Sequence, residues 1–287
     1  MENVKVILWG LGAMGGGIGR MLAKKKGVDI VGAIDIGEKL GKSMYDVIPG
    51  IVRGDRQDVT VGSPEEVIKP GAADIVVVCT NSFTKDVYDK LVFVMERGMN
   101  VITSAEEMAY PKAKEPELTK KLDEYAKKNG VSVMGTGINP GLIMDLLVVL
   151  WTAACEEVNH ITSRRVNSLS PFGPAVMEEQ GIGMPVEEFN RRKADGTMAG
   201  HVGFAESTMM ICDALGWKWD SFGQDMEPIV TDVDRKSPYG FAAKGTVAGV
   251  AMKGWVDIDG ERKLDMEHPQ QIEPEQVGIH TGDYVIM

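Results

Sequence analysis

The 287-residue sequence predicts an α/β chain: a doubly wound parallel sheet over residues 1–135, then an α+β domain with an open mixed sheet over residues 136–287. Three observations carry this. Short apolar runs alternate with helical spacing through the first half. A glycine-rich turn joins the first run to the first helix. After a second glycine-rich segment the strands lengthen and begin to alternate, as in a sheet with one solvated face.

Val4–Trp9 reads as a short buried strand that runs into Gly10-Leu11-Gly12-Ala13-Met14-Gly15. A helix follows through Met21-Leu22-Ala23 to Lys24-Lys25-Lys26, with lysines in the last turn, where the dipole favours them, and Gly27 as the stop. A second strand, 28–36, carries Asp35 near its end, and 73–79 is a continuous apolar strand closed by Thr80-Asn81-Ser82. Residues 84–97 have helical spacing, 100–103 are a strand, 112–129 a polar-faced helix and 131–134 a further strand. Strands alternating with helices require right-handed crossovers and a parallel sheet.

The pattern changes at Gly135-Thr136-Gly137-Ile138-Asn139-Pro140-Gly141. A long apolar helix is expected at 142–154, with strands at 160–168 and 245–259. Residues 170–201 are rich in glycine, proline and charge, and a stretch that long reads as a functional loop or lid. Asp283-Tyr284-Val285-Ile286-Met287 reads as a strand; either it finishes there or further residues belong downstream.

The formal charge of −11 repels phosphate backbones and anionic lipid, which argues against nucleic-acid and membrane partners. Cys79, Cys155 and Cys212 are far apart and form no CxxC, so buried thiols are expected, with no disulfide framework and no metal site. No leader pattern precedes the first strand, and the longest apolar run is too short to span a bilayer, so a cytoplasmic location is expected.

Set between a strand and a helix, Gly10, Gly12 and Gly15 form the phosphate-binding turn of a Rossmann domain. Gly10 permits the tight turn, Gly12 lets backbone approach a diphosphate, and Gly15 allows close packing; the N–H groups at Ala13 and Met14 open the helix. Asp35 ends the next strand at the offset where a carboxylate accepts adenine-ribose hydroxyls. It favours NAD, while Lys39 and Lys42 close behind it keep NADP open. Thr80 and Asn81 either contact the nicotinamide half of the cofactor or cap the next helix.

The strand at 100–103 delivers Ser104-Ala105-Glu106-Glu107 to the same sheet edge. Ser104 and Glu107 have capping-box spacing, which gives Glu107 a structural task and leaves Glu106 freer to act as a general base or to hold an ammonium. Both glutamates also simply suit a helix N-terminus.

With these residues assembled, the chain resembles the 2,4-diaminopentanoate dehydrogenases, a group that includes the native amine dehydrogenases and shares the shape of dihydrodipicolinate reductase. The match lies in Val6 to Gly15, Gly32-Ala33-Ile34-Asp35, Thr103 to Glu107, Gly135 to Gly141 and His280-Thr281-Gly282-Asp283, and it spans nearly the whole chain. The resemblance implies oxidative deamination of a C4 amine with NAD(P), a glutamate (Glu106, or Glu107 in its place) handling the amine, and a homodimer. It further implies a pocket containing Asn139, Arg165, Asn167 and His268, with Phe172 and His201 nearby. Members of the family usually continue beyond the point where this chain stops.

Read by themselves, these pocket positions are open. Alternation points one of Arg164 and Arg165 inward, yet Arg165 equally suits a surface ion pair. His201 and His268 suit hydrogen-bonded structural roles, and Asn139 a turn. A homoserine or aspartate dehydrogenase and an NAD-sensing regulator without turnover share the fold-level pattern. The lysine motif of dihydrodipicolinate reductase is absent.

Overall fold

The computed structural model describes residues 2–198 and 200–287. They divide into two compact units, Met1–Gly141 and Leu142–Met287. The glycine-rich segment at 135–141 therefore closes the first unit instead of opening the second. Thr136 N–H bonds to the Thr103 carbonyl at 3.0 Å, which keeps the segment on the first sheet.

In the first unit, β1 (Val4–Trp9), β2 (Val28–Ile34), β3 (Val61–Gly62), β4 (Ile75–Val78), β5 (Asn100–Thr103) and β6 (Val133–Gly135) form one sheet in the order β3-β2-β1-β4-β5-β6. Every pairing is parallel. The helices are α1 (Ala13–Leu22), α2 (Met44–Val47), α3 (Pro64–Val67), α4 (Thr84–Met95) and α5 (Pro116–Asn129). Alternation along β1 sends Ile7 and Trp9 into a core shared with α4 and α5, while Val6 and Leu8 enter a second core with Met44 and Ile48. Both faces are covered, which is why these strands read as unbroken apolar runs. Full burial of a Leu or Ile side chain stabilises by about 1.5–3 kcal/mol, so the two faces of β1 anchor the sheet.

Two local expectations shift. α1 ends at Leu22, and Lys24 N–H turns back to the Met21 carbonyl, so Lys24 to Lys26 lie past the helix and Arg20 is the basic residue in its last turn. The helix expected over 112–129 begins at Pro116, since a proline suits the first helical position and breaks any helix entering from before it. Pro111–Ala113 forms a separate 3-10 turn.

The second unit holds α6 (Leu146–Thr152), β7 (Ile161–Ser168), α7 (Pro174–Glu179), α8 (Val186–Ala194), α9 (Phe204–Leu215), β8 (Ser221–Val230), β9 (Arg235–Lys236), β10 (Phe241–Ala242), β11 (Val247–Ile258), β12 (Glu261–Gln271) and β13 (Gly282–Ile286). Five of the strands form an open mixed sheet in the order β13-β7-β12-β11-β8, with β7 and β12 parallel and the other pairs antiparallel. One face packs on a core containing Phe204, Ile211, Val250, Met252 and Met266. Gly254 lets the Phe204 ring rest on β11, since a Cβ there would lie 2.9 Å from it.

The apolar run at 142–154 gives only the seven-residue α6, because Asp145 accepts the Leu146 N–H at 2.6 Å and the Ser207 hydroxyl at 2.8 Å and so fixes the helix start. The presumed loop at 170–201 contains α7 and α8, with Pro174 at the start of the first and the fully buried Phe189 anchoring the second. Of the cysteines, Cys212 is buried, Cys79 half-buried and Cys155 exposed, and all three are free. No helix among the described residues is long and apolar enough to cross a membrane.

Candidate active site

The phosphate turn lies at the carboxyl edge of β1. Gly10 has φ +95°, and a Cβ there would fall 2.6 Å from the Cys79 carbonyl oxygen. A Cβ on Gly15 would lie 1.7 Å from the Gly10 carbonyl oxygen, so this glycine seats α1 directly on the turn. Gly12 differs: a Cβ there meets nothing within 4 Å and would project into the open space before the helix. The start of α1 has no side-chain cap and no acidic residue in its first turn. Ala13 and Met14 are exposed. Free N–H groups, the positive helix end and open space in front of Gly12 suit a diphosphate.

Asp35 follows β2 and accepts the N–H of Leu11 at 2.7 Å and of Ile36 at 2.8 Å. Lys39 pairs with it at 2.8 Å. Burial opposes ionisation of Asp35, but Lys39 and the two N–H groups outweigh it and hold the carboxyl below the ordinary aspartate range. The acid thus braces the glycine turn through Leu11.

Thr80 and Asn81 follow β4. Neither caps α4, whose first turn has no side-chain cap from Phe83. Instead Lys90 donates to Thr80 Oγ1 at 2.8 Å and to Asn81 Oδ1 at 2.6 Å. Sequence reading missed Lys90; its place on the inner side of an amphipathic helix gave no motif to find.

Glu107 has a structural task, but with a different partner from the one expected. Ser104 N–H goes to the Val78 carbonyl, so no capping box forms. The buried Glu107 carboxylate instead accepts the Thr84 N–H at 2.9 Å, and its own N–H donates to the Ser82 carbonyl at 3.1 Å. Lys114 stands 3.7 Å away. Glu107 therefore supplies the missing cap of α4 from a neighbouring 3-10 turn, Glu106–Ala109. The adjacent Glu106 is half-buried, and among the described residues its carboxylate has no hydrogen bond or ion pair. Asn139, before the cis Pro140, keeps both side-chain polar atoms buried without a hydrogen-bond partner.

In the second unit a polar row crosses the core face of the mixed sheet. Asp283 pairs with Arg165, and His268 pairs with Met252, which pairs with Met226. The flanking pairs Glu267–Arg164 and Gln270–Asn167 bring His268 level with Arg165. Arg164 points to the other face, toward Glu267 at 3.5 Å. Arg165 Nε lies 3.6 Å from Asp283, while its Nη1 is buried with no partner. A buried guanidinium donor without an acceptor is costly, so the arrangement suits an incoming anion.

His201 and His268 stack edge to face with ring centroids 5.0 Å apart, and His201 makes the same contact with Phe204. Both ring nitrogens of His268 are buried and unpartnered. Burial lowers the His201 pKa to about 4, with Arg165 adding to the shift. Burial, His201 and Arg165 together lower that of His268 to about 3. His268 is thus not a satisfied core histidine, and both rings are neutral near pH 7. A cavity of about 220 Å³ is lined by His201, Phe204, Met226 and Met252, with the Lys193–Asp225 ion pair at 2.7 Å also among its lining residues. Asn167 lies two residues from Arg165 on β7, whereas Phe172 sits on the turn after β7, exposed and outside the histidine ring contacts. Among the described residues no group of acidic, histidine or cysteine side chains could hold a metal ion.

The sheet order and the uncapped glycine turn are those of a Rossmann-type unit suited to a dinucleotide. A family model described as the 2,4-diaminopentanoate dehydrogenase C-terminal domain matches residues 142–287. The 2,4-diaminopentanoate dehydrogenase of Acetoanaerobium sticklandii is 67% identical over all of this chain and 81% of its own length. Among solved structures, the amine dehydrogenase of Mycobacterium smegmatis superposes with a TM-score of 0.78 at 25% identity, covering 99% of this chain and 82% of that one. A Synechocystis biliverdin reductase solved with biliverdin and NADP+ shares the fold at a TM-score of 0.54 and 12% identity, over 97% of this chain and 74% of that one. The chain belongs to the 2,4-diaminopentanoate dehydrogenase family, and it is an amine dehydrogenase.

Proposed function

We propose that the protein oxidatively deaminates the C4 amine of 2,4-diaminopentanoate, or of a closely related small amine, to the ketone and ammonium, and runs the reductive amination in reverse. The observation that carries the reading is the contrast between two adjacent glutamates: Glu107 is committed to the Thr84 N–H, and Glu106 is half-buried and uncommitted.

The bound nicotinamide supplies the hydride acceptor. Glu106 takes a proton from the substrate ammonium, so that the nitrogen lone pair forms the C=N bond as the C4 hydride departs. Glu106 releases that proton to solvent, accepts a proton from the water that adds to the iminium carbon and passes it to the nitrogen; the carbinolamine then collapses to the ketone, and the departing ammonia takes the hydroxyl proton to leave as ammonium. In the second unit Arg165, assisted by Asn167, receives the amino-acid carboxylate, and the neutral His201 and His268 offer hydrogen bonds without adding positive charge.

NAD is the preferred cofactor in this reading, because the Asp35 carboxylate repels a 2′-phosphate. Lys39, paired with it, tempers that repulsion and leaves some NADP use. A homodimer through the sheet of the second unit and a cytoplasmic setting complete the proposal. The first is supported by the family resemblance and the second by three free cysteines.

The test follows NADH and NADPH appearance with 2,4-diaminopentanoate, homoserine and aspartate as competing substrates. Turnover of the diamine, faster with NAD, is expected. Turnover of homoserine or aspartate in its place, or tight NADH binding with no amine oxidised, would overturn the reading.

A further inference from the structure

Lys90 stands in the middle of α4 and reaches back to the loop after β4, where its ammonium meets Thr80 Oγ1 and Asn81 Oδ1. Long helical side chains lean toward the helix N-terminus, and α4 starts just after that loop, so the reach is natural. Thr80 itself abuts the phosphate turn: its Cγ2 would lie 3.0 Å from a Cβ on Gly10.

The chemistry of the contact fixes orientations that the two acceptors would otherwise choose freely. A lysine ammonium has donors and no acceptor, so it must face the oxygen of an amide. The Asn81 Oδ1 is therefore turned inward, and its NH2 group is the outward pole. The Thr80 oxygen likewise accepts, which leaves its hydroxyl hydrogen free to donate away from Lys90. Asn81 and Thr80 are both exposed, so these donors face solvent at the carboxyl edge of the sheet. Among the described residues no carboxylate lies within ion-pair distance of Lys90, and burial lowers its pKa, with Asp86 one turn earlier partly offsetting the effect. A half-buried cation held only by neutral oxygens is a weak structural tether, but it suits a place beside an anion.

We propose that Lys90 is a positioning residue for the dinucleotide, holding Asn81 and Thr80 so that the Asn81 amide and Thr80 hydroxyl present donors to the cofactor. This rests on the reading that the turn at 10–15 takes the diphosphate. A tether that merely pinned the loop would act on stability; a positioning residue acts on affinity and acts through Asn81.

NADH fluorescence titration of wild type, Lys90→Met, Lys90→Arg, Asn81→Ala and the Lys90→Met/Asn81→Ala double variant separates the two. Removing one hydrogen-bonded charge predicts about 10-fold weaker NADH binding for Lys90→Met. Asn81→Ala should weaken binding similarly, and the double variant should bind no more weakly than either single one, the signature of a shared path. Lys90→Arg should recover most of the affinity, and the loss in Lys90→Met turnover should fall on the KM for the cofactor more than on kcat. Unchanged NADH affinity in Lys90→Met, or additive losses in the double variant, would overturn the inference. Absence of NADH binding by the wild type would instead overturn the reading beneath it.

Discussion

The paired histidines of the second unit make its stability depend on pH in a direction that can be worked out. In the unfolded chain an imidazole titrates near pH 6.5, whereas in the native unit His201 does so at about 4 and His268 at about 3. Between those limits the unfolded state binds more protons than the native state, so stability falls as pH falls. It is complete above the unfolded value and lost progressively toward the native ones. At about 1.4 kcal/mol per pH unit, lowering the pH from about 6.5 to about 4.5 removes ~2.5 kcal/mol for each imidazole and ~5 kcal/mol for the pair. That is a large part of the roughly 5–15 kcal/mol that holds an ordinary domain together. Urea unfolding followed by tryptophan fluorescence at stepped pH would measure it, comparing wild type with His201→Asn/His268→Gln. The difference between the two slopes isolates the histidines from the carboxylates that titrate in both proteins. Equal slopes would instead mean that the two rings protonate freely in the native unit.

Two contrasts in the first unit test neighbouring residues against each other. Gly12→Ala meets no atom and should leave the melting temperature unchanged while weakening NADH binding. Gly15→Ala forces a methyl onto the Gly10 carbonyl and should cost about 1–3 kcal/mol of stability as well as affinity, read by thermal melting and fluorescence titration. Glu107→Ala leaves the Thr84 N–H buried without its acceptor and should cost about 1–3 kcal/mol in urea unfolding, whereas Glu106→Ala should be neutral there.

The sequence alone made the first sheet legible because its signals are local. β1, the glycine turn and Asp35 lie within one βαβ unit, and each glycine has a steric reason visible in the turn itself. The second unit was harder. β12 buries Leu264, Met266 and His268 on alternate positions, but only two of the three are apolar, so the alternating run is short. The row of Asp283, Arg165 and His268 depends on strands far apart in the chain, and only pairing brings them level. α7 and α8 hid in a segment whose glycines and prolines read as loop, although Pro174 and Pro185 mark their starts. Capping logic gives Glu107 a structural task, yet the N–H that it satisfies belongs to Thr84, 23 residues earlier, beyond any local pattern.

A pair of conservative variants at Glu106 and Glu107 identifies the carboxylate that serves as general base. With NADH formation from 2,4-diaminopentanoate measured at saturating cofactor, Glu106→Gln should lower turnover by about 100-fold or more, the usual contribution of a general base, while NADH affinity stays at the wild-type value. Glu107→Gln should keep most of its turnover and lose stability instead. A Glu106→Gln enzyme that still oxidises the diamine at the wild-type rate, or a Glu107→Gln enzyme that folds normally and is inactive, would contradict the account.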